Sequence, residues 1–206
     1  LHWLGLSTIT YRIPSDAPTK TRSYEAVYRT RHGLKQADGE TVGKTQRGRL
    51  DANDIIAITN STLRPELNNR LVVVMQYRPA VNAYTLEFPA GCIDPHETNA
   101  LASGLRELRE ETGLTAKPNS ARVAYQFTYE PGISSSLGNA ITCEVDLDAP
   151  ENKDPKPELE DDEWSLQLYL LPLEGLHRTL TEFAAKHEHV LVDSRLGAYA
   201  LGLEHA

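Results

Sequence analysis

Residues 98–113 limit the possible folds of this chain more than any other segment, because they predict a helix between strand-like segments. Thr98 or Asn99 can cap this helix at its start, since both side chains accept hydrogen bonds from the first turn. Gly113 can end the helix after Thr112, because glycine readily adopts the left-handed conformation of a helix end. The chain must therefore fold around at least one helix placed among strands.

The other regular elements are predicted from the spacing of apolar residues. Alternating or β-branched segments are expected to be strands, and segments with apolar residues every three or four positions are expected to be helices. The expected strands are residues 7–12, 22–29, 55–60, 71–78, 84–88, 123–129, 140–147 and 164–170. The two further helices are marked by Leu173, Leu176, Leu180 and Ala184, and by Leu196, Tyr199, Ala200 and Leu203. This mixture predicts an α/β (α+β) fold.

The chain is predicted to divide at about residue 50. Residues 1–50 contain short strand-like pieces and a polar, glycine-containing stretch at 32–49, with too few apolar residues for a core of their own. We therefore expect residues 1–50 to form a small N-terminal β segment that packs on the main domain or on a partner chain. Residues 51–206 are expected to form the main domain.

Composition restricts the classes of partner. The net charge is −8, from 21 Lys and Arg against 29 Asp and Glu, which argues against nucleic acid as a partner. The chain has no apolar run near the ~18 residues of a membrane span, so no membrane partner is expected. Cys92 and Cys143 do not make a disulfide framework, which favours a reduced, intracellular setting.

Three glutamates crowd the end of the predicted helix. Glu107, Glu110 and Glu111 stand at positions i, i+3 and i+4 and therefore share one face. The C-terminal end of a helix disfavours each negative charge by roughly 0.3–1 kcal/mol, and the three carboxylates also repel one another. A divalent cation held by oxygen ligands would offset both costs. The alternative is a solvated helix face on which Arg106 and Arg109 pair with the glutamates.

The surrounding residues resemble the Nudix box, G-x5-E-x7-R-E-U-x-E-E-x-G-U, in which U is aliphatic. The matching residues are Gly91, Glu97, Arg106, Glu107, Leu108, Glu110, Glu111, Gly113 and Leu114. Eight residues instead of seven separate Glu97 from Arg106, and His96 stands where relatives often have glycine. We place the extra residue near Asn99, before the helix, because an insertion within a helix would rotate one part of the face by ~100°.

Other segments resemble the eukaryotic ADP-ribose (ADP-sugar) pyrophosphatases of this superfamily. These segments are residues 76–79, 87–91, 130–132, 192–195 and 199–201. The resemblance covers nearly the whole chain, and residues 32–50 and 61–69 look like insertions. It implies the Nudix fold, in which helices sandwich a mixed β-sheet, and it makes residues 51–206 the Nudix hydrolase domain.

The resemblance also implies a metal site. The family would bind Mg²⁺, for which Mn²⁺ can substitute, through Glu107, Glu111, Glu110 and the backbone carbonyl of Ala90. Glu87, just before the box, would belong to the same acidic site. The alternative for Glu87 is an ordinary exposed strand residue.

Catalytic roles follow from the same resemblance. Arg106 would orient the glutamates together with Glu97. The family places the general base on a loop after the box, and the matching residue is Glu163. Glu160 is the alternative base, because the residues alone do not distinguish members of an acidic run that is usually a solvated loop.

The resemblance implies that the substrate is a small-molecule nucleotide sugar. Arg78 and Arg29 would contact its diphosphate, since the guanidinium group binds phosphate oxygens in pairs. Trp3 and Tyr24 would stack on the adenine, one from each subunit of a homodimer, which gives residues 1–50 a role in dimerisation and adenine contact. The alternatives are structural salt bridges for the arginines and simple packing for Trp3.

The expected reaction converts ADP-ribose and water into AMP and ribose 5-phosphate, in the cytoplasm and with the nucleus as a second compartment. One alternative is a Nudix hydrolase of another nucleoside diphosphate derivative, such as an oxidised nucleotide or a dinucleotide coenzyme. The other is a sensor that binds ADP-ribose without cutting it. The intact glutamate cluster argues against a sensor, because binding alone does not require those residues.

Overall fold

The computed structural model describes residues 4–15, 17–29, 50–94 and 96–205. The described strands are β1 (Leu4–Tyr11), β2 (Arg22–Arg29), β3 (Ala52–Asn60), β4 (Arg70–Arg78), β5 (Ala83–Glu87), β6 (Ala90–Cys92), β7 (Arg122–Thr128), β8 (Leu137–Asp146), β9 (Gln167–Pro172) and β10 (Val190–Val192). The described α-helices are α1 (Ala100–Thr112), α2 (Leu176–Lys186) and α3 (Ser194–Glu204). Within these ranges, no helix combines the length and apolar composition that a bilayer crossing requires.

The strands form a mixed sheet and a separate hairpin. The mixed sheet has the order β10-β5-β4-β3-β8-β7, with β6 paired to β3 and β9 paired to β4. The pairs β3–β8 and β10–β5 are parallel, and the other pairs of this sheet are antiparallel. β1 and β2 form an antiparallel hairpin with Leu4 opposite Arg29. The predicted α/β (α+β) class is confirmed.

Both faces of the mixed sheet are covered by helices. Because side chains alternate along a strand, Leu71 of β4 packs towards α2 and α3, whereas Val72 packs towards α1. Leu108 of α1 is fully buried on one face, and Leu176 and Leu196 are buried on the other. Burial of each such leucine contributes about 2 kcal/mol. The prediction of a mixed β-sheet sandwiched by helices is therefore also confirmed.

Local sequence sets both ends of α1. The Asn99 side chain accepts hydrogen bonds from the backbone N–H groups of Leu101 and Ala102 at 3.1 and 3.2 Å. Gly113 has φ of 72°, and its N–H donates to the Arg109 carbonyl at 2.7 Å. The helix is thus uninterrupted from residue 100 to residue 112. The placement of the extra residue of the Nudix-like spacing near Asn99 stays a prediction.

Three sequence predictions in the C-terminal part of the chain are wrong in detail. Trp164 does not begin a strand, because it follows the 3-10 turn Asp161–Glu163, is 70% exposed and precedes β9 by several residues. Leu173 lies before α2, which starts only after Gly175 at φ 65°. The apolar stripe of α3 is also shorter than predicted, since Leu203 is exposed.

The N-terminal hairpin packs on a turn of the main domain. The N–H of Val27 in β2 donates to the Ile133 carbonyl at 2.7 Å, and the N–H of Ser135 donates to the Val27 carbonyl at 3.0 Å. The hairpin thus lies against residues 130–135. The polar stretch predicted at residues 32–49 and the aromatic Trp3 lie outside the described residues.

Candidate active site

Arg106 organises the acidic face of α1. Its Nε and Nη2 donate to the two oxygens of Glu97 at 3.1 and 3.2 Å, so the loop before the helix is tied to the helix. Its Nη2 also lies 2.8 Å from Glu107 Oε1, and its Nη1 lies 2.5 Å from Glu110 Oε2. One guanidinium group therefore contacts three carboxylates.

Glu97 is held by further donors. The Asp94 N–H and the Ser103 hydroxyl donate to Glu97 Oε2 at 2.9 and 2.8 Å. The hydrogen bonds from Arg106, followed by these donors, lower the pKa of Glu97 to about 2. Glu97 therefore stays ionised across the physiological pH range, and it suits an orienting role better than a proton-transfer role.

Glu107 and Glu111 face the start of β6. The Ala90 N–H donates to Glu111 Oε2 at 3.0 Å, and Glu111 is only 1% exposed. A Cβ added to Gly91 would overlap the carboxyl group of Glu107, so this carboxyl group lies directly on the backbone of β6. The family resemblance predicts that Glu107, Glu111 and Ala90 belong to one site, and in the structure all three lie close together.

The electrostatics of these two glutamates suit a cation. Burial raises the pKa of Glu107 to about 7, although Arg106 opposes the shift. Burial and the neighbouring charge of Glu163 raise the pKa of Glu111 well above its usual value. Carboxylates that are costly to ionise without a cation, with hard oxygen donors only, match the ligand preference of Mg²⁺. The residues present therefore fit such an ion.

The carboxylates are not already gathered into a cage. Within the described ranges, no group of three or more His, Cys, Asp or Glu side chains converges as a metal site. The reason lies in the ion pairs, because Arg106 contacts Glu97, Glu107 and Glu110 while Glu111 accepts from Ala90. Metal binding by the helix would therefore require these side chains to rearrange.

Glu87 and Arg78 form a second ion pair on neighbouring strands. Arg78 Nε and Nη2 donate to the two Glu87 oxygens at 2.8 and 2.6 Å, and the Thr85 hydroxyl also donates to Glu87. Glu87 is buried, so the alternative of an ordinary exposed strand residue is wrong. The hydrogen bond to Glu87 raises the pKa of Arg78, and the nearby charge of Glu111 raises it further. The pair of Arg78 and Glu87 therefore lies beside the glutamates of α1.

The acidic run 160–163 is anchored to both the helix and the sheet. The Glu158 N–H donates to the Glu110 carbonyl of α1 at 2.7 Å, and the Tyr77 N–H of β4 donates to Ser165 Oγ at 2.9 Å. Between these anchors, Glu163 Oε2 accepts from the Glu160 N–H at 2.9 Å. The charge of Glu163 contributes to the raised pKa values of Glu107 and Glu111. Glu163 therefore faces the helix glutamates.

The substrate-binding predictions fall at different places. Arg29 at the end of β2 donates to Cys92 Sγ at 3.3 Å, which brings it beside β6. Tyr24 is exposed on the hairpin, and its hydroxyl donates to the Gly132 carbonyl. Arg78 lies beside the α1 glutamates, whereas Trp3 is outside the described residues.

Comparisons with known proteins identify the family of this chain. Residues 51–191 match the model of the NUDIX domain. The chain belongs to the Nudix family. It is 33% identical over 204 residues to the ADP-sugar pyrophosphatase of Mus musculus. The aligned region covers 99% of this chain and 83% of that protein. The chain is 31% identical over 177 residues to the ADP-ribose pyrophosphatase of Saccharomyces cerevisiae. The aligned region covers 82% of this chain and 66% of that protein.

A solved structure shares the Nudix fold of this chain. It is described as an ADP compounds hydrolase, and it superimposes with a TM-score of 0.56 at 18% identity over 98% of this chain and 90% of that one. The prediction of a Nudix protein from the box residues is confirmed.

Sequence reasoning missed a buried ion-pair network beside the Nudix helix site. Arg195 in α3 contacts Asp54 in β3 and Asp193, the N-cap residue of α3. Burial raises the pKa of Asp54 to about 6, although Arg195 opposes this shift. The signal in the sequence was a carboxylate directly before the apolar run 55–57 of β3, because a charge that is buried with such a run requires a partner.

Replacing Gly91 with Ala tests the close contact between β6 and the Nudix helix. The added Cβ would displace the Glu107 carboxyl group, so we expect a fall of about 10²-fold in kcat, the order that a displacement of about 1 Å can cost. The effect is measured as kcat in steady-state hydrolysis of ADP-ribose. Gly202→Ala is the matched control, since its Cβ would meet no atom within 4 Å. An unchanged rate in Gly91→Ala would show that the position of Glu107 does not limit turnover.

Proposed function

We propose that this Nudix protein hydrolyses the pyrophosphate of ADP-ribose to AMP and ribose 5-phosphate, or that of a closely related ADP-sugar to AMP and the corresponding sugar phosphate. The observation that carries the proposal is the set of carboxylates on α1, Glu107 and Glu111 against β6, with Glu163 facing them. The names of the two relatives support the substrate class, since one is an ADP-sugar and the other an ADP-ribose pyrophosphatase.

The α1 glutamates would hold the metal. Glu107 and Glu111, with Glu110 and the carbonyl of Ala90, are the proposed ligands of Mg²⁺, and Mn²⁺ is the proposed substitute. Glu87 is proposed as part of the same acidic site, where it engages Arg78. Bound Mg²⁺ supplies charge neutralisation of the diphosphate and acidifies coordinated water.

The remaining steps belong to side chains of this chain. Arg106 and Glu97 fix the direction of the α1 face through their paired hydrogen bonds. Glu163 takes a proton from the attacking water, whose oxygen forms a bond to phosphorus as the P–O bond of the leaving group breaks. The burial that raises the pKa of Glu163 makes it a stronger base than an exposed carboxylate.

The nucleotide is proposed to lie between the hairpin and the helix. Arg29 and Arg78 supply guanidinium groups for the diphosphate. Tyr24 presents a ring that is 45% exposed and is proposed to stack on adenine, with Trp3 as the second aromatic residue. The contact between Arg29 and Cys92 supports this placement, since it brings the hairpin to β6.

The direct test is AMP release from ADP-ribose with and without Mg²⁺, compared with ADP-mannose, NADH, a diadenosine polyphosphate and an oxidised dGDP. We expect Mg²⁺-dependent AMP release, fastest with ADP-ribose or an ADP-sugar. Turnover of only an oxidised nucleotide or a dinucleotide would contradict the substrate assignment while keeping the Nudix chemistry. Binding of ADP-ribose without cleavage of any substrate would favour the sensor.

We also propose that residues 1–50 support a homodimer in which the aromatic residues of the adenine site come from both subunits. The exposed Leu4 and Leu6 on β1 support an interface on the hairpin. Light scattering at assay concentration should give twice the mass of the chain, and a monomer would contradict the shared site. The cytoplasm, with the nucleus as a second compartment, stays a prediction that imaging of the tagged protein can test.

A further inference from the structure

Arg195 lies between two carboxylates that come from different parts of the chain. Its Nη1 donates to both oxygens of Asp54 at 2.8 Å, and its Nε and Nη2 donate to Asp193 at 2.8 and 2.9 Å. Asp54 is only 3% exposed. Charge-assisted hydrogen bonds of this kind have narrow geometry, so they fix the start of α3 against β3.

Tyr129 is the fourth member of this network. The Arg195 guanidinium lies over its ring, 4.8 Å from the centroid, and its hydroxyl donates to Asp54 Oδ1 at 3.3 Å. The ring also packs on Gly138, where a Cβ would lie 2.7 Å from the hydroxyl oxygen. Phe127 completes the surroundings, with ring centroids 4.9 Å apart. Tyr129 is therefore held from several directions.

Tyr129 immediately precedes the turn that supports the hairpin. Residues 130–135 of this turn exchange backbone hydrogen bonds with Val27 of β2 at 2.7 and 3.0 Å. The Gly132 carbonyl of the same turn accepts from the Tyr24 hydroxyl. The turn supports β2, and this strand ends at Arg29, which contacts Cys92 at the end of β6.

We propose that Tyr129, held by Arg195 and Asp54, is a positioning residue for nucleotide binding. It sets the turn 130–135 and thereby the places of Tyr24 and Arg29. This inference rests on the proposed function, in which those two residues contact the ADP part of the substrate. The contacts that hold Tyr129 go to Asp54, Arg195, Gly138 and Phe127 rather than to the carboxylates of α1, so replacing Tyr129 should act on substrate affinity and not on the chemical step.

The test compares Tyr129→Leu and Tyr129→Phe with the wild-type protein on ADP-ribose. Tyr129→Leu removes the ring from Arg195, and we expect KM to rise about tenfold while kcat stays within about twofold. The inhibition constant of AMP should rise by the same factor. Tyr129→Phe keeps the ring and loses only the 3.3 Å hydrogen bond, so it should restore most of the affinity. Tyr125→Leu, at an exposed position of β7 four residues before Tyr129, is the matched control.

A second variant keeps the inference testable if Tyr129→Leu does not fold. Arg195→Lys retains the charge but loses the planar fork whose Nε and Nη2 pair with Asp193 while Nη1 reaches Asp54, so KM and the AMP inhibition constant should rise together in this variant too. A fall in kcat at unchanged KM, or wild-type affinity in folded variants, would overturn the inference. Failure of the proposed function would appear earlier, as no AMP release from ADP-ribose by the wild-type protein.

Discussion

Glu111→Gln is expected to lower the metal-dependent rate by about 10³-fold while the fold is retained, because metal catalysis supplies several kcal/mol. Glu111 is buried, and burial raises its pKa, so the neutral amide removes a charge that is costly in the metal-free protein. Glutamine can still accept the hydrogen bond from the Ala90 N–H. The unfolding midpoint without metal should therefore be equal to or above that of the wild-type protein.

Thermal unfolding with and without Mg²⁺ distinguishes a lost ligand from a damaged fold. On the proposed function Mg²⁺ binds the native state, so it should raise the midpoint of the wild-type protein, and this shift should shrink in Glu111→Gln. Glu144→Gln is the matched control, since Glu144 is an exposed carboxylate paired with Lys117 at 3.2 Å. Wild-type turnover in Glu111→Gln would show that the metal assignment is wrong.

The parts of the fold that were predictable from the sequence are those set by near neighbours. α1 was predicted at both ends because Asn99 and Gly113 determine its ends through hydrogen bonds within a few residues. Trp164 was wrongly placed in a strand because the alternation it shares with the following leucines is also compatible with a turn. The turn depends on hydrogen bonds from Glu163 to Glu160 and from Tyr77 to Ser165, and the second of these is not local.

In the candidate site, too, the features set by local spacing were predictable and those set by long-range packing were not. The helical spacing of Glu107 and Glu111 placed both on one face of α1, and the box residues indicated their meeting with Ala90. The burial of Glu87 was missed, because alternation along a strand does not reveal how deeply each face is covered. The pairing of Asp54 with Arg195 joins residues 141 positions apart, so it follows from the packing of α3 on β3 and not from any local pattern.

Glu163→Gln is expected to lower kcat by about 10²–10⁴-fold, the usual contribution of a general base. The amide can still accept from the Glu160 N–H, so the turn that carries it should persist. The wild-type rate should fall as the pH is lowered through the raised pKa of Glu163, because only the ionised carboxylate accepts a proton. At saturating Mg²⁺, which keeps the proposed ligands Glu107 and Glu111 ionised, this acid limb should be absent from the residual activity of Glu163→Gln, as pH profiles of kcat/KM would measure.

Glu160→Gln decides between the two candidate bases. Glu160 holds the turn through its backbone, and its side chain is exposed, so this variant should keep the turn and nearly all of the activity. The Mg²⁺-induced rise in unfolding midpoint should survive in both variants, because neither residue is among the proposed ligands of α1. If Glu160→Gln loses the rate and the acid limb while Glu163→Gln keeps them, the base is Glu160. In that case the turn 160–163 before β9 must present Glu160 to the helix glutamates when substrate is bound.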